Sequence, residues 1–232
     1  MQGWVRLILF LALLGSTTYA VSLAASVPAS LVASQVELPE QIIDVSGTIW
    51  NGQAILRGGY ELKWQVLPFW SLFHLAFDAD WTLTGVDTRL NGRASLWTRS
   101  AVTSVDGRAG WGLARMAFPG TTIACDGSLA LALSRVAIAN DRQGAVGSLR
   151  SGPSVCTGIV TEAAIEVPAL TGTATMDAEG SRLSVAATAV PGVPLADLRI
   201  AARVLSATLH PEGSRLTGAL PTSGPITVEY PF

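Results

Sequence analysis

The chain has little of what catalysis needs. Of its 232 residues only two are histidine, His74 and His210, far apart, so one imidazole pair at most is available and no spacing supports a metal site. There is no Gly-x-Ser-x-Gly nucleophile elbow. The glycines of Gly107-Arg108-Ala109-Gly110-Trp111-Gly112 are misplaced for either phosphate-cradling fingerprint. Carboxylates do occur in pairs, Asp78 with Asp80 on one strand and Glu162 with Glu166 on another, and such pairs can do acid/base work. Their ordinary use is to keep the wet face of a sheet soluble and its edges from pairing with other chains. The chain therefore reads as a non-enzyme without metal or cofactor; a hydrolase built on Asp78 or Asp80 is the competing reading.

Charge is scarce as well. Charged residues make up 14% of the chain and the formal net charge is -2, with both signs scattered singly, so no cationic stripe is present to neutralise phosphates and nucleic acid is excluded as a partner. Hydrophobic residues account for 49%, which excludes the disordered class. Cysteine is limited to Cys125 and Cys156, in neither a Cys-x-x-Cys nor a Cys/His cluster. In an oxidising compartment they would form a disulfide closing a loop of about 30 residues, a contribution of about 3–4 kcal/mol on the chain-entropy model. Two buried free thiols are the alternative.

One long stretch lacks charge altogether. Between Arg6 and Glu37 nothing is ionised; residues 7–14 (LILFLALL) run on through GSTTYAVSLAAS, enough to cross a bilayer as one transmembrane helix. The competing reading is a cleaved signal peptide, with Thr18-Tyr19-Ala20 as the small-residue site. Either way Arg6 marks the cytoplasmic end, which leaves everything after about residue 27 on the far side. Residues 28–36 read as a short helical extension. The expected division is 1–36, membrane anchor and juxtamembrane helix, and 37–232, a single periplasmic domain.

Beyond Val45 the pattern has period two. Leu75, Phe77, Ala79, Trp81 and Leu83 alternate with Ala76, Asp78, Asp80, Thr82 and Thr84, and alternation recurs at 129–133, 159–167, 183–189 and 199–209, the signature of strands. Turn signals lie at Asp106-Gly107, Asp141-Arg142-Gln143-Gly144, Asp177-Ala178-Glu179-Gly180 and Pro211-Glu212-Gly213. No amphipathic helical stretch of adequate length follows residue 45, so the expected fold is mainly β, a curved antiparallel meander sheet forming an open trough or partial barrel. Glu179-Gly180-Ser181-Arg182-Leu183 reappears as Glu212-Gly213-Ser214-Arg215-Leu216, consistent with two similar hairpin turns. Aromatics are absent from residues 119–229, so the later half has a thin core of small residues. In the earlier half most aromatics are core, and Trp50, Trp64 and Trp70 are the candidates for partner binding.

Three stretches carry a resemblance. Val27-Pro28-Ala29-Ser30-Leu31-Val32, Leu38-Pro39 and Val45-Ser46-Gly47-Thr48-Ile49-Trp50-Asn51-Gly52-Gln53-Ala54 come first. Leu62-Lys63-Trp64 through Pro68 and then Gly147-Ser148-Leu149-Arg150-Ser151-Gly152-Pro153, leading to Cys156 and Gly158, follow in order. In this the chain resembles the protein N family of the type II secretion system. The resemblance implies a single-pass subunit of the bacterial inner membrane, with its bulk in the periplasm, that contacts other inner-membrane subunits of the machine and has no catalytic residues. Some of these strands are similar to those of AsmA-like proteins, which implies the alternative of periplasmic lipid binding or transport.

Overall fold

The computed structural model describes residues 2–35, 38–67, 76–97, 100–117, 123–139, 143–158, 163–177, 180–201, 204–217 and 223–231. Among these residues sixteen strands form two sheets. The large sheet has thirteen strands in the order β1-β2-β3-β4-β5-β6-β8-β9-β12-β13-β14-β15-β16 and is not closed. In chain order these are β1 (Ile42–Gly47), β2 (Asn51–Leu56), β3 (Tyr60–Val66), β4 (Phe77–Gly85), β5 (Thr88–Trp97), β6 (Ser100–Gly110), β8 (Ser128–Ala139) and β9 (Gln143–Ser151). The series continues with β12 (Leu170–Met176), β13 (Ser181–Ala187), β14 (Pro194–Ala201), β15 (Val204–Leu209) and β16 (Ile226–Pro231). Every ladder is antiparallel. The meander expected from the alternation is present, and it stays open.

Register places the apolar residues on one face. Leu62 pairs with Leu83, Leu83 with Leu90, Leu131 with Leu149, and Leu183 with both Ala174 and Leu198. The other face carries Lys63 opposite Thr82, Asn91 opposite Asp106, and Asp197 opposite Thr208. Because the side-chain period in a strand is two, this separation also fixes the register. The sheet bends towards its apolar face around β12. There Ser181 of β13 reaches past β12, its hydroxyl accepting the Ala145 N–H of β9 at 3.1 Å. On the apolar face of β12, Gly172 leaves space that Leu149 of β9 and Leu183 of β13 fill, their Cδ1 atoms 2.4 and 3.1 Å from where a Cβ would lie.

Little of the sheet is deeply buried. The buried apolar residues are mostly small, such as Ala54, Ala79, Ala137 and Ala174, with Tyr60, Val66 and Leu90 the larger ones. Total accessible surface is 15291 Å2, whereas a compact monomer of this mass exposes about 10,000 Å2. Among the described residues the strands lie close almost only to their ladder neighbours, so little of the apolar face has a second layer of described elements against it.

Two excursions leave the meander at the same end. The first, between β6 and β8, holds α3 (Trp111–Ala117) and β7 (Ala124–Cys125); the second, between β9 and β12, holds β10 (Ser154–Thr157) and β11 (Ile165–Val167). They meet as a small sheet, β11-β10-β7. Helix α4 (Pro211–Thr217) follows β15 at that end too.

Several sequence expectations are corrected. Asp106-Gly107 is not a turn but lies inside β6, where Gly107 (φ 131) lets the backbone close on Arg89; a Cβ would sit 2.2 Å from the Arg89 carbonyl oxygen. Residues 199–209 are not one strand but parts of β14 and β15; the apolar positions change parity from Leu198 and Ile200 to Leu205, Ala207 and Leu209. Pro211-Glu212-Gly213 opens a helix, favoured by proline at its first position and an acid in its first turn. The repeated segment is no repeat: Ser181-Arg182-Leu183 opens β13, whereas Ser214-Arg215-Leu216 is helical.

At the N-terminus, α1 (Gln2–Ala25) is a single helix with large exposed apolar side chains, among them Trp4, Phe10, Leu13 and Tyr19. Among the described residues no helix is long and apolar enough to cross a membrane, which corrects the expectation of a transmembrane helix. Hydroxyl residues dilute its apolarity: Ser16, Thr17 and Thr18 donate back to the carbonyls of Ala12, Leu13 and Leu14. Nor is α2 (Ala29–Ala33) an extension of α1, since Pro28 interrupts with extended backbone at φ -67 and ψ 137. Instead α2 packs on β1 with Ala29 buried.

Candidate functional site

The motif strand builds the junction between helix and sheet. Gly47 takes φ +86, and a Cβ there would lie 2.6 Å from the Asn51 carbonyl oxygen; only glycine suits both conditions. The chain then reverses. Thr48 donates its N–H to the Asn51 carbonyl at 2.9 Å and receives the Asn51 N–H on Oγ1 at 3.1 Å. Onto this turn the N-terminal segment is tied, Pro28 bridging Thr48 and Ile49 donating to the Val27 carbonyl at 3.2 Å. α1 therefore leaves the sheet from the end that holds Gly47 and Asn51.

Two of the tryptophan candidates lie at this junction. Trp64, half-buried, donates Nε1–H to the Ile49 carbonyl at 3.1 Å, and its ring covers Gly52, where a Cβ would meet Cζ2 at 2.3 Å. Trp50, also half-buried, has its ring centroid 6.3 Å from that of Phe77, a tilted pair. Trp70 lies outside the described residues, as do His74 and Glu162. Trp81 belongs to the same layer: it pairs with Trp64 across β3 and β4 and donates Nε1–H to Thr103 Oγ1 at 2.9 Å.

The opposite end is closed by a clasp. Cys125 and Cys156 are directly paired across β7 and β10 and form the disulfide, with Cα atoms 4.1 Å apart, as expected from the sequence. Asp126 adds a link, its Oδ1 accepting the Val155 N–H at 2.8 Å. A cleft of about 680 Å3 opens beside the clasp, lined by Tyr60, Arg57, Arg115, Trp111 and Asp126 among others. Tyr60, 4% exposed, forms its floor over Gly85 and Gly112, positions where any Cβ would meet its ring or hydroxyl. β11 falls at the end of the alternation read at 159–167, whereas β7 and β10, of two and four residues, are too short to carry a periodic signal.

The carboxylates are held in structural pairs. Asp78, expected on the wet face, is buried at 4% exposure and accepts the Ser95 hydroxyl, because β5 supplies a hydroxyl directly opposite it. Asp80 takes Arg93 in a fork, Nε to Oδ1 at 2.8 Å and Nη2 to Oδ2 at 3.4 Å, which raises the guanidinium pKa further. His210 Nε2 lies 2.8 Å from Asp197 Oδ2. Burial pushes the Asp197 carboxyl up, but hydrogen bonds from His210 and Ser184 and attraction from His210 and Arg182 together outweigh it and hold it below the usual value. Glu166 is exposed on β11. Among the described residues no group of three or more metal-ligating side chains gathers.

What the arrangement offers is surface and edge. One sheet edge, β1, carries a bulge between Ile42 and Asp44 and is packed by α2. The other, β16, is regular through its pairing with β15 and exposes Val228 at 62% and Tyr230 at 67%. No protein family, curated protein or solved structure matches this chain.

Proposed function

We propose that this chain is a non-catalytic subunit of the type II protein secretion machinery, tethered to the bacterial inner membrane through α1 and acting in the periplasm as an assembly scaffold. The observation that carries the reading is a large open sheet with an exposed edge strand, joined at one end to a helix that exposes Trp4, Phe10, Leu13 and Tyr19. The order of motifs in residues 27–54, 62–68 and 147–158, which resembles that of the secretion protein N family, is what supports the choice of machine. α1 would find an apolar surround for its exposed Trp4, Phe10, Leu13 and Tyr19 at a membrane surface. Its hydroxyls fit that surround because the helix's own carbonyls already accept from them. Trp50 and Trp64, at the end from which α1 leaves, stand as partner-binding candidates, with Trp70 a third from the sequence alone.

The test is in-cell crosslinking of the full-length protein with photoreactive residues at Trp50, Trp64 and Thr208. Crosslinks to other inner-membrane secretion subunits, together with loss of exoprotein release on deletion, are expected. Their absence, with release intact, would falsify the reading.

A second reading, AsmA-like lipid binding or transport, is favoured by one specific observation: among the described residues little covers the apolar face of the open sheet. Apolar surface of this extent is normally covered or functional. Native mass spectrometry of the purified protein distinguishes the two, since a lipid carrier retains phospholipid and a scaffold does not.

A further inference from the structure

We propose that β16 is the docking edge, and that its occupant is an extended segment of a partner anchored in the same membrane, entering antiparallel to β16 from the membrane side. The inference rests on the tethered-subunit reading above and names the surface that reading uses. It begins with a parity argument. Thirteen strands joined by antiparallel ladders alone make the two edge strands, β1 and β16, run in the same direction. Closing the sheet on itself would require a parallel β1–β16 ladder, whereas one added antiparallel strand extends the existing pattern.

The edges differ in how they meet other chains. β1 has the features that blunt an edge: a bulge, the exposed charge of Asp44 and the cover of α2. β16 (ITVEYP) has a regular ladder, β-favouring residues and exposed Val228 and Tyr230, with Glu229 its sole charge. Such a strand is a template for β-strand addition.

Direction selects the partner. β16 runs from the clasp end, where Ile226 pairs with Leu209, to the α1 end, where Pro231 pairs with Val204. An antiparallel newcomer therefore travels from the α1 end towards the clasp, the course of a chain that has just emerged from a neighbouring membrane helix. Self-pairing of β16 is disfavoured by the same geometry: an antiparallel pair is related by a two-fold axis normal to the sheet, which sends the two α1 helices to opposite sides. Side chains set the composition. Ile226, Val228 and Tyr230 share the apolar face with Ala207 and Leu205, whereas Thr227 and Glu229 face the polar side with Thr208 and Ser206. The incoming segment thus alternates aliphatic or aromatic residues with polar ones and places a Lys or Arg opposite Glu229.

The experiment places a photoreactive residue at Ile226, Val228 or Tyr230 in the full-length protein in native membranes and maps each crosslink on the partner. As the probe moves towards the chain's C-terminus, the crosslinked position should move towards the partner's N-terminus, near its membrane segment. With the probe at Ile226, the double variant Val228→Lys/Tyr230→Lys, at exposed positions, should abolish the crosslink while the thermal midpoint and the Cys125–Cys156 disulfide are retained. Crosslinks that march in the parallel sense, that join two copies of this chain, or that survive the double variant overturn the proposal. Secretion subunits captured from Trp50 or Trp64 but not from β16 overturn it while leaving the subunit reading standing. Lipid crosslinks alone from all positions overturn both.

Discussion

Trp64 lies over Gly52, its direct partner across the β2–β3 ladder. The indole occupies the space where any larger residue would put its Cβ, and its Nε1–H reaches over the turn to the Ile49 carbonyl. The turn that receives the N-terminal helix is thereby fastened to the third strand. Gly52→Ala should cost stability, because the new Cβ would meet not only the ring at 2.3 Å but also the Ser46 and Thr48 carbonyl oxygens at 2.8 and 2.9 Å. Overpacking of this kind costs about 1–3 kcal/mol. Gly152→Ala, with nothing within 4 Å, is the matched control, and urea unfolding of both variants reads the difference.

What was legible in the sequence follows from where water lies. Phe77, Ala79, Trp81 and Leu83 alternate with polar residues because one face of β4 is wet, and that contrast survives in one dimension. The seat of Trp64 does not, since nothing in residues 52 and 64 alone says that they face each other. Ser-Arg-Leu is a strand at Ser181 and helical at Ser214 because its own preferences are weak and its surroundings decide. Proline and an acid precede the second copy at helix-favouring positions, while the first copy enters a ladder between β12 and β14. The disulfide was legible through compartment and cysteine number, but its role in joining two excursions required the topology.

That role gives the second prediction. The clasp ladder between β7 and β10 has only two residue pairs, too few to hold the excursions together without the covalent link. Cys125→Ser/Cys156→Ser should lower unfolding free energy by about 3–4 kcal/mol. Hydrogen exchange should accelerate first and most at residues 124–126 and 154–157, and in the central strands β5, β6 and β8 only by the loss of global stability. Uniform acceleration across the large sheet would show instead that the clasp is integral to the whole fold.

Arg89 and Arg108 are directly opposed across β5 and β6, both exposed on the polar face. Like charges in that relation repel, at a cost on the order of 0.5 kcal/mol. Arg108→Glu converts repulsion to attraction and should raise the urea midpoint at low salt. The gain should shrink at high salt, where exposed charges are screened. A gain independent of salt would locate the effect elsewhere than in this pair.

Asp197 gives the sheet an acid-sensitive contact. Its folded pKa is held below the usual aspartate value by His210, Ser184 and Arg182 despite the opposing effect of burial. A carboxyl depressed on folding contributes stability above its unfolded pKa, about 3.9, and that contribution is lost as pH falls through the lower folded value. The Asp197→Asn variant should therefore be less stable than the wild type at neutral pH, and the gap should narrow on acidification below about pH 4. Urea midpoints of the two proteins across that range measure it. Parallel curves would mean that Asp197 contributes through packing or neutral hydrogen bonds rather than through its charge. A gap that widened in acid would reverse the sign of the shift assigned to this carboxyl.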